Sequence, residues 1–333
     1  MSTEPALPTP PHTPDLTSAA ATYLGPPWEN LDWRAVLLYD AAVRSGLTAA
    51  LPATAAAAAE TCGADAGTVR IVLDALGALG LVTVDAQHCF HCRVEPDVET
   101  AATLTQHARA IRRWSEGLPE VLGVTEEDPT RPQPGHTLPA LAGRARAHAA
   151  WLADTVRARA TTPRRMLDLG GGHGEHARAF AAHGLDTVLQ DTPETVAWLA
   201  ETGRLDDAGV GLHAGDFLVD LAPGPFDVVL LAGIVHIYAG EAVAELLTRV
   251  AERMPSGGVI AVSTMLRRRN TIAPLFAVQM SLGGQQGDTH GEGELIGWLE
   301  AAGFTAVELT EVPDRPQTLL TAVKHGEVRT RKA

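Results

Sequence analysis

Apolar positions fall into two regimes along the chain. In the first half they recur at helical spacing; from residue 165 onward short apolar runs alternate with helical stretches. Trp33, Val36, Leu37 and Ala41 mark an amphipathic helix over 33–45, ended by Gly46. Thr54 is placed to cap an Ala-rich helix running to Thr61. Asp65 is placed to cap a third helix through Val69, Val72, Leu73, Leu76 and Leu79, closed by Gly80. Residues 81–84 then read as a strand, 85–87 as a turn and 89–94 as a return strand. Three helices and a hairpin in this order predict a winged helix. Leu104, Ala108 and Ile111 place a helix over 103–114, and Pro119 opens a short turn. A Pro-rich connector covers 126–139, followed by a helix over 141–159 that carries Ala147, Trp151, Leu152 and Val156. Before all of this, Pro5, Pro8, Pro10, Pro11 and Pro14 preclude a helix in residues 1–20, which read as a disordered tail or an arm laid on a partner subunit.

The second regime predicts strands over 166–169, 187–190, 210–214, 226–231, 258–263, 305–310 and 318–323. Helices separate the first five, and another covers 292–302. Such alternation implies an α/β fold with a doubly wound, mostly parallel seven-stranded sheet. The last two strands read as a hairpin that adds one antiparallel strand. The expected organisation is a tail over 1–20, a mainly α winged-helix domain with its connector over 21–140, and the α/β domain over 141–333.

Composition narrows the function classes. With 40 acidic against 26 basic residues, the net charge of −14 disfavours nucleic acid and anionic membrane surfaces as partners. The third helix, which in a DNA-binding winged helix carries the reading cations, has Arg70 against Asp65 and Asp74. Its domain therefore reads as a dimerisation module. Three cysteines make no disulfide framework and suit a reducing cytoplasm. No secretory signal and no membrane-length apolar run is expected. The His88-Cys89-Phe90-His91-Cys92 cluster lies on a strand, where alternate side chains face opposite ways, so no metal site is expected there.

The chemistry gathers after the first strand of the α/β domain. Asp168-Leu169-Gly170-Gly171-Gly172-His173-Gly174 reads as strand end, glycine turn and helix start. Gly170, Gly172 and Gly174 let the backbone turn sharply and approach a ligand. Asp191, with Thr192, ends the second strand, about twenty residues on, where a carboxylate reaches ribose hydroxyls. Gly215-Asp216-Phe217 ends the third, offering an acceptor for an adenine amino group and a ring to stack on it. A dinucleotide carries a pyrophosphate and prefers G-x-G-x-x-G; S-adenosylmethionine has no phosphate, and its sulfonium suits a loop led by Asp168 in a pocket poor in Lys and Arg. The residues fit the second cofactor.

At these motifs the chain resembles the small-molecule O-methyltransferases with an N-terminal winged-helix dimerisation domain, found in plants and in actinobacterial antibiotic pathways. The resemblance covers about residues 30–323 and rests on 168–174, Asp191-Thr192-Pro193, Gly215-Asp216-Phe217, His236-Ile237-Tyr238, Pro255-Ser256-Gly257-Gly258 and the run from Leu299 to Gly303-Phe304. It implies a Rossmann-like fold, a homodimer, S-adenosylmethionine converted to S-adenosylhomocysteine, and transfer of its methyl to a hydroxyl of a small aromatic or polyketide-like secondary metabolite. It also implies His236 as general base. Two departures accompany it: the family's Asp and Trp after that histidine are Ile237 and Tyr238 here, and the acids that orient the base are replaced by Ser263 or Thr264 and by the region of Thr289 and His290. Asp288 is an alternative orienter. Tyr238, Phe276, Met280 and His290 are the expected acceptor contacts, with a plain core helix as the other reading for 272–280 and a surface loop or a metal pair with His236 as others for His290. Without the acids, N- or C-methylation and a non-methylating cyclisation or elimination stand as alternatives, and a metabolite-sensing DNA-binding regulator as a third.

Overall fold

The structure, a computed structural model, describes residues 32–93, 98–123, 134–282 and 286–326. The expected tail over 1–20, most of the Pro-rich connector and Gly283 and Gly284 lie outside the described residues. The rest groups into two compact units. One holds 32–93 and 98–123 together with Arg268–Leu282; the other holds 134–267 and 286–326.

In the first unit, α1 (Trp33–Arg44) is capped by Asp32, whose side chain accepts from the Arg34 amide. A short strand β1 (Ala53–Thr54) leads into α2 (Ala55–Cys62), and the Thr54 hydroxyl accepts from the Ala57 amide. Asp65 accepts from the Gly67 amide to cap α3 (Ala66–Ala78). Strands β2 (Val82–Val84) and β3 (Cys89–Cys92) form the hairpin, and β1 pairs with β3 to complete a three-stranded antiparallel sheet. Asp85 closes the hairpin turn by accepting from the Gln87 and Cys89 amides. One continuous helix, α4 (Val98–Val121), replaces the expected helix and separate turn, with Pro119 inside it. Tyr39, Leu73, Leu76, Leu81, Phe90 and Leu104 form the core of this unit.

The second unit opens with α5 (Pro134–Arg159) and β4 (Arg165–Leu169). It continues with α6 (Glu175–Ala182), β5 (Asp186–Asp191), α7 (Pro193–Thr202), β6 (Val210–Ala214), β7 (Val228–Ala232), α8 (Gly240–Glu252) and β8 (Val259–Thr264). Helix α9 (Ile272–Ser281) belongs to the first unit, where Leu275 and Val278 pack on its core. The chain then forms α10 (Glu292–Ala301), β9 (Phe304–Glu311) and β10 (Thr318–Lys324) in the second unit.

The sheet runs β6-β5-β4-β7-β8-β10-β9, and β10 is antiparallel to both of its neighbours. This is the expected doubly wound sheet with one antiparallel strand. Its central strands are apolar on both faces because helices cover both. Leu167, Leu169, Val229 and Leu231 face one core, with Leu246, Leu247 and Leu295; Met166, Val228 and Leu230 face the other, with Leu152, Val156 and Phe180. Strand order reverses between β4 and β7, which opens a crevice at their carboxyl ends, where ligands bind in sheets of this kind.

The passage from Arg267 to Arg268 leads from the second unit to the first, and each arginine is held in its own unit. Arg267 donates to the Thr289 carbonyl (3.0 Å) and pairs with Asp288 (3.0 Å). Arg268 is buried and pairs with buried Asp74 of α3 at 2.8 Å. Asp74 also takes Arg70 at 2.9 Å, so the cation noted on the third helix is engaged within it.

Candidate active site

The loop between β4 and α6 is shaped by glycine. Gly170, Gly172 and Gly174 have φ of 68°, 48° and 78°, the left-handed region that side chains disfavour. Space is as restrictive as torsion: a Cβ on Gly170 would lie 2.5 Å from Ile234 Cγ2, and one on Gly174 2.8 Å from Leu205 Cδ1. Asp168 sits beneath the loop, 1% exposed. Its Oδ2 accepts from the Ala177 amide (3.1 Å), while its buried Oδ1 has no partner among the described residues. Burial pushes its carboxyl up to about 7.

Asp191 ends β5 beside the loop and fixes it. One carboxylate oxygen accepts from the Gly172 amide (2.9 Å) and the other from the Thr192 amide (2.7 Å). Each oxygen keeps a second lone pair for a ligand. The Thr192 hydroxyl accepts from the Thr195 amide and so caps α7. Strand register sets Asp191 opposite Ala214, so Asp216 follows at the same edge of the sheet. Asp216 is exposed and accepts from the Leu218 amide (2.8 Å). Gly215, unlike the loop glycines, has room for a Cβ, and its amide donates to the Asp191 carbonyl. Phe217 is buried in the core, its ring edge-on to Tyr238 at 5.8 Å. Tyr238 is half-buried; burial, then the carboxylates of Asp216 and Asp191, push its hydroxyl up to about 12. Tyr238 therefore stands among the nucleoside candidates, although the sequence reading placed it with the acceptor.

The start of α6 carries an anion of its own. Glu175 is nearly buried and takes Arg146 at 2.7 Å and Arg204 at 3.0 Å. Burial opposes its charge, but the two guanidiniums hold the carboxyl below its ordinary range. In dinucleotide-binding sheets this helix N-terminus receives the pyrophosphate. Sequence reading passed over Glu175, although an acid immediately after the glycine loop was visible.

His236 lies beyond β7, in a three-residue 3₁₀ turn, Val235–Ile237. It is 8% exposed, and its Nδ1 meets the Thr264 hydroxyl at 3.1 Å. Thr264 ends β8, at one of the two positions expected to replace an acid. Burial, then the nearby His290, holds the His236 imidazole down at about 4, so it is neutral at physiological pH. The alternative orienter Asp288 pairs with Arg267.

His290 is not a surface residue. It is 4% exposed, packs edge-on to Trp298 at 5.0 Å, and its Nε2 faces the carbonyls of Val235 (3.1 Å) and Tyr238 (3.2 Å). Among the described residues, no group of three His, Cys, Asp or Glu is arranged to hold a metal ion. Phe276 and Met280 are half-buried on α9, in the first unit.

A glycine turn at a switch point, followed by carboxylates at successive strand ends, is the arrangement at which doubly wound sheets hold nucleoside ligands. Residues 154–305 match the family model of the O-methyltransferase domain. Curated relatives include 3-hydroxy-5-methyl-1-naphthoate 3-O-methyltransferase of Streptomyces sahachiroi, 30% identical over 156 residues, 43% of this chain and 44% of that protein. The tetracenomycin polyketide synthesis 8-O-methyl transferase of Streptomyces glaucescens is 29% identical over 162 residues, 46% of this chain and 47% of that protein. The matches thus span about half the length of these relatives. Among solved structures, an O-methyltransferase family 2 protein of Planctomyces limnophilus, in complex with apigenin, superposes with a TM-score of 0.70 at 20% identity, covering 97% of this chain and 100% of that one. Human N-acetylserotonin methyltransferase in complex with SAM gives 0.55 at 21% identity, covering 95% and 99%. At these identities the likeness is one of fold.

Proposed function

We propose that the chain is an S-adenosylmethionine-dependent methyltransferase that acts on a hydroxyl of a small aromatic or polyketide-like metabolite. The observation that carries the reading is the pair of carboxylates, Asp191 and Asp216, at successive strand ends beside the glycine loop. A nucleoside without phosphate meets acceptors for its hydroxyls and amino group. The unpartnered Oδ1 of Asp168 and the lack of space for side chains on the loop fit a ligand laid against backbone. The naphthoate and polyketide methyltransferases among the relatives support the acceptor class.

In this reading Asp191 binds the ribose hydroxyls and Asp216 the adenine amino group, with Thr192 and Gly215 shaping the two turns. Phe217 and Tyr238 wall the base. Gly170, Gly172 and Gly174 admit the methionine portion over Asp168. When bound, S-adenosylmethionine supplies an activated methyl group at its sulfonium. His236 takes the acceptor's proton: the Thr264 hydroxyl at its Nδ1 orients the ring, and burial keeps the imidazole unprotonated at neutral pH. Homodimerisation through the first unit and a cytoplasmic location complete the reading.

The test pairs two measurements. Titration calorimetry should detect S-adenosylhomocysteine and no NAD. With a hydroxynaphthoate as acceptor, His236→Gln should lower turnover by about 10²-fold or more and leave S-adenosylhomocysteine affinity nearly unchanged. Full turnover in that variant would end the assignment of His236 as base.

A further inference from the structure

The turn that carries His236 is gripped from one side by a histidine the reaction itself does not need. His290 Nε2 lies 3.1 Å from the Val235 carbonyl and 3.2 Å from the Tyr238 carbonyl. Both partners can only accept, so Nε2 carries the proton and donates to both. These two carbonyls stand on either side of His236 in the chain. One N–H therefore closes the ends of the 3₁₀ turn around it.

The grip is itself held in place. The His290 carbonyl accepts from the Arg267 amide (2.9 Å), and the Thr289 carbonyl accepts from Arg267 Nε (3.0 Å), which ties the segment to the chain leaving β8. The His290 ring packs against Trp298 of α10. Gly287 lets the segment approach: a Cβ there would stand 2.6 Å from the His236 carbonyl oxygen and 2.8 Å from that of Ile237. From the opposite direction the Thr264 hydroxyl meets His236 Nδ1. The imidazole is thus fixed through its ring by β8 and through its backbone by the 286–290 segment.

We propose that His290 is a positioning residue for His236, setting the ring's direction by donating one N–H to the carbonyls of Val235 and Tyr238. It touches neither cofactor nor acceptor in this role; it acts through the turn. The proposal rests on the reading of His236 as base for its catalytic consequence, but the geometry it asserts is measurable without turnover.

The experiment uses the full chain saturated with S-adenosylhomocysteine. Histidine ¹⁵N spectra, assigned through His236→Gln, report the tautomer of His236. Gln placed at 290 carries an amide N–H to nearly the position of Nε2; Asn stops short of it; Leu has none. His290→Gln should keep a single His236 tautomer, whereas His290→Asn and His290→Leu should give mixed or shifted signals. With the hydroxynaphthoate, kcat should fall at least about tenfold in the Asn and Leu variants with KM and S-adenosylhomocysteine affinity little changed, and recover largely in the Gln variant. If His290→Leu does not fold, the Gln and Asn pair carries the test alone. An unchanged His236 signal in the Asn variant, or equal damage in Gln and Asn, overturns the proposal. Full turnover by His236→Gln overturns the base assignment instead, and leaves the spectroscopic comparison standing on its own.

Discussion

Asp168 is the residue whose environment asks most of its chemistry. A carboxyl buried to 1% exposure, with one oxygen partnered only by an amide, favours its protonated form. Its pKa rises in the folded chain from 3.8 to about 7. The unfolded chain ionises it freely above about pH 4, so its folded form loses stability progressively as pH rises from there toward 7. Asp168→Asn removes that dependence while an amide oxygen still accepts from Ala177. The variant without ligand should melt a few degrees above the parent at pH 8 and near it at pH 4.5, by scanning calorimetry; a difference that does not vary with pH would contradict the burial argument. Some residues of the site were legible in the sequence and others were not, for one reason. Asp191 and Asp216 are set by strand ends, which apolar runs mark. The partners of Glu175 come from 29 residues away on either side, and no local pattern announces them.

At the scale of the element, local signals located structure well. The Thr54 and Asp65 caps work within three residues of chain, and both form. Position β6 matches its apolar run end to end. What sequence did not reveal was long-range: β1 exists only because β3 pairs with it, and α9 joins the first unit with the buried Arg268–Asp74 pair, whose members lie 194 residues apart. The loop between β4 and α6 is the element on which the cofactor reading depends. Gly170→Ala would force a methyl group to 2.5 Å from Ile234 in a backbone conformation that alanine avoids. S-adenosylhomocysteine affinity should fall at least about tenfold, measured by calorimetry, whereas Gly211→Ala on β6, with ordinary contacts, should leave it nearly unchanged. Equal affinities in the two variants would show that the loop is not the ligand's bed.

At the scale of the whole molecule, charge and exposed apolar surface bear on association. A net charge of −14 opposes nonspecific contact with other acidic surfaces. Yet the first unit exposes Trp33 on α1, with Trp114 and Val121 on α4 and Leu122 just beyond it; Trp114 is 67% exposed and Val121 83%. Large apolar side chains gathered on one unit mark an association surface, here proposed to be the homodimer contact. Light scattering behind size exclusion should give twice the 35.0 kDa chain mass, and Trp114→Glu combined with Leu122→Glu should return it to the single mass. A monomeric parent chain would remove the dimer from the account. The two-unit arrangement also shows why fold outran function in the sequence. Seven apolar runs and the helices between them announce a doubly wound sheet, but no local pattern announces which side chains would meet an acceptor.

The central claim, transfer of a methyl from S-adenosylmethionine to oxygen, is tested most directly with ¹³C-methyl-labelled cofactor and a hydroxynaphthoate acceptor followed by NMR. The account predicts a new methyl resonance at the chemical shift of an aryl methyl ether, rising in step with S-adenosylhomocysteine. Acceptor converted while the label stays in S-adenosylmethionine, or a label that arrives on carbon or nitrogen, would contradict it.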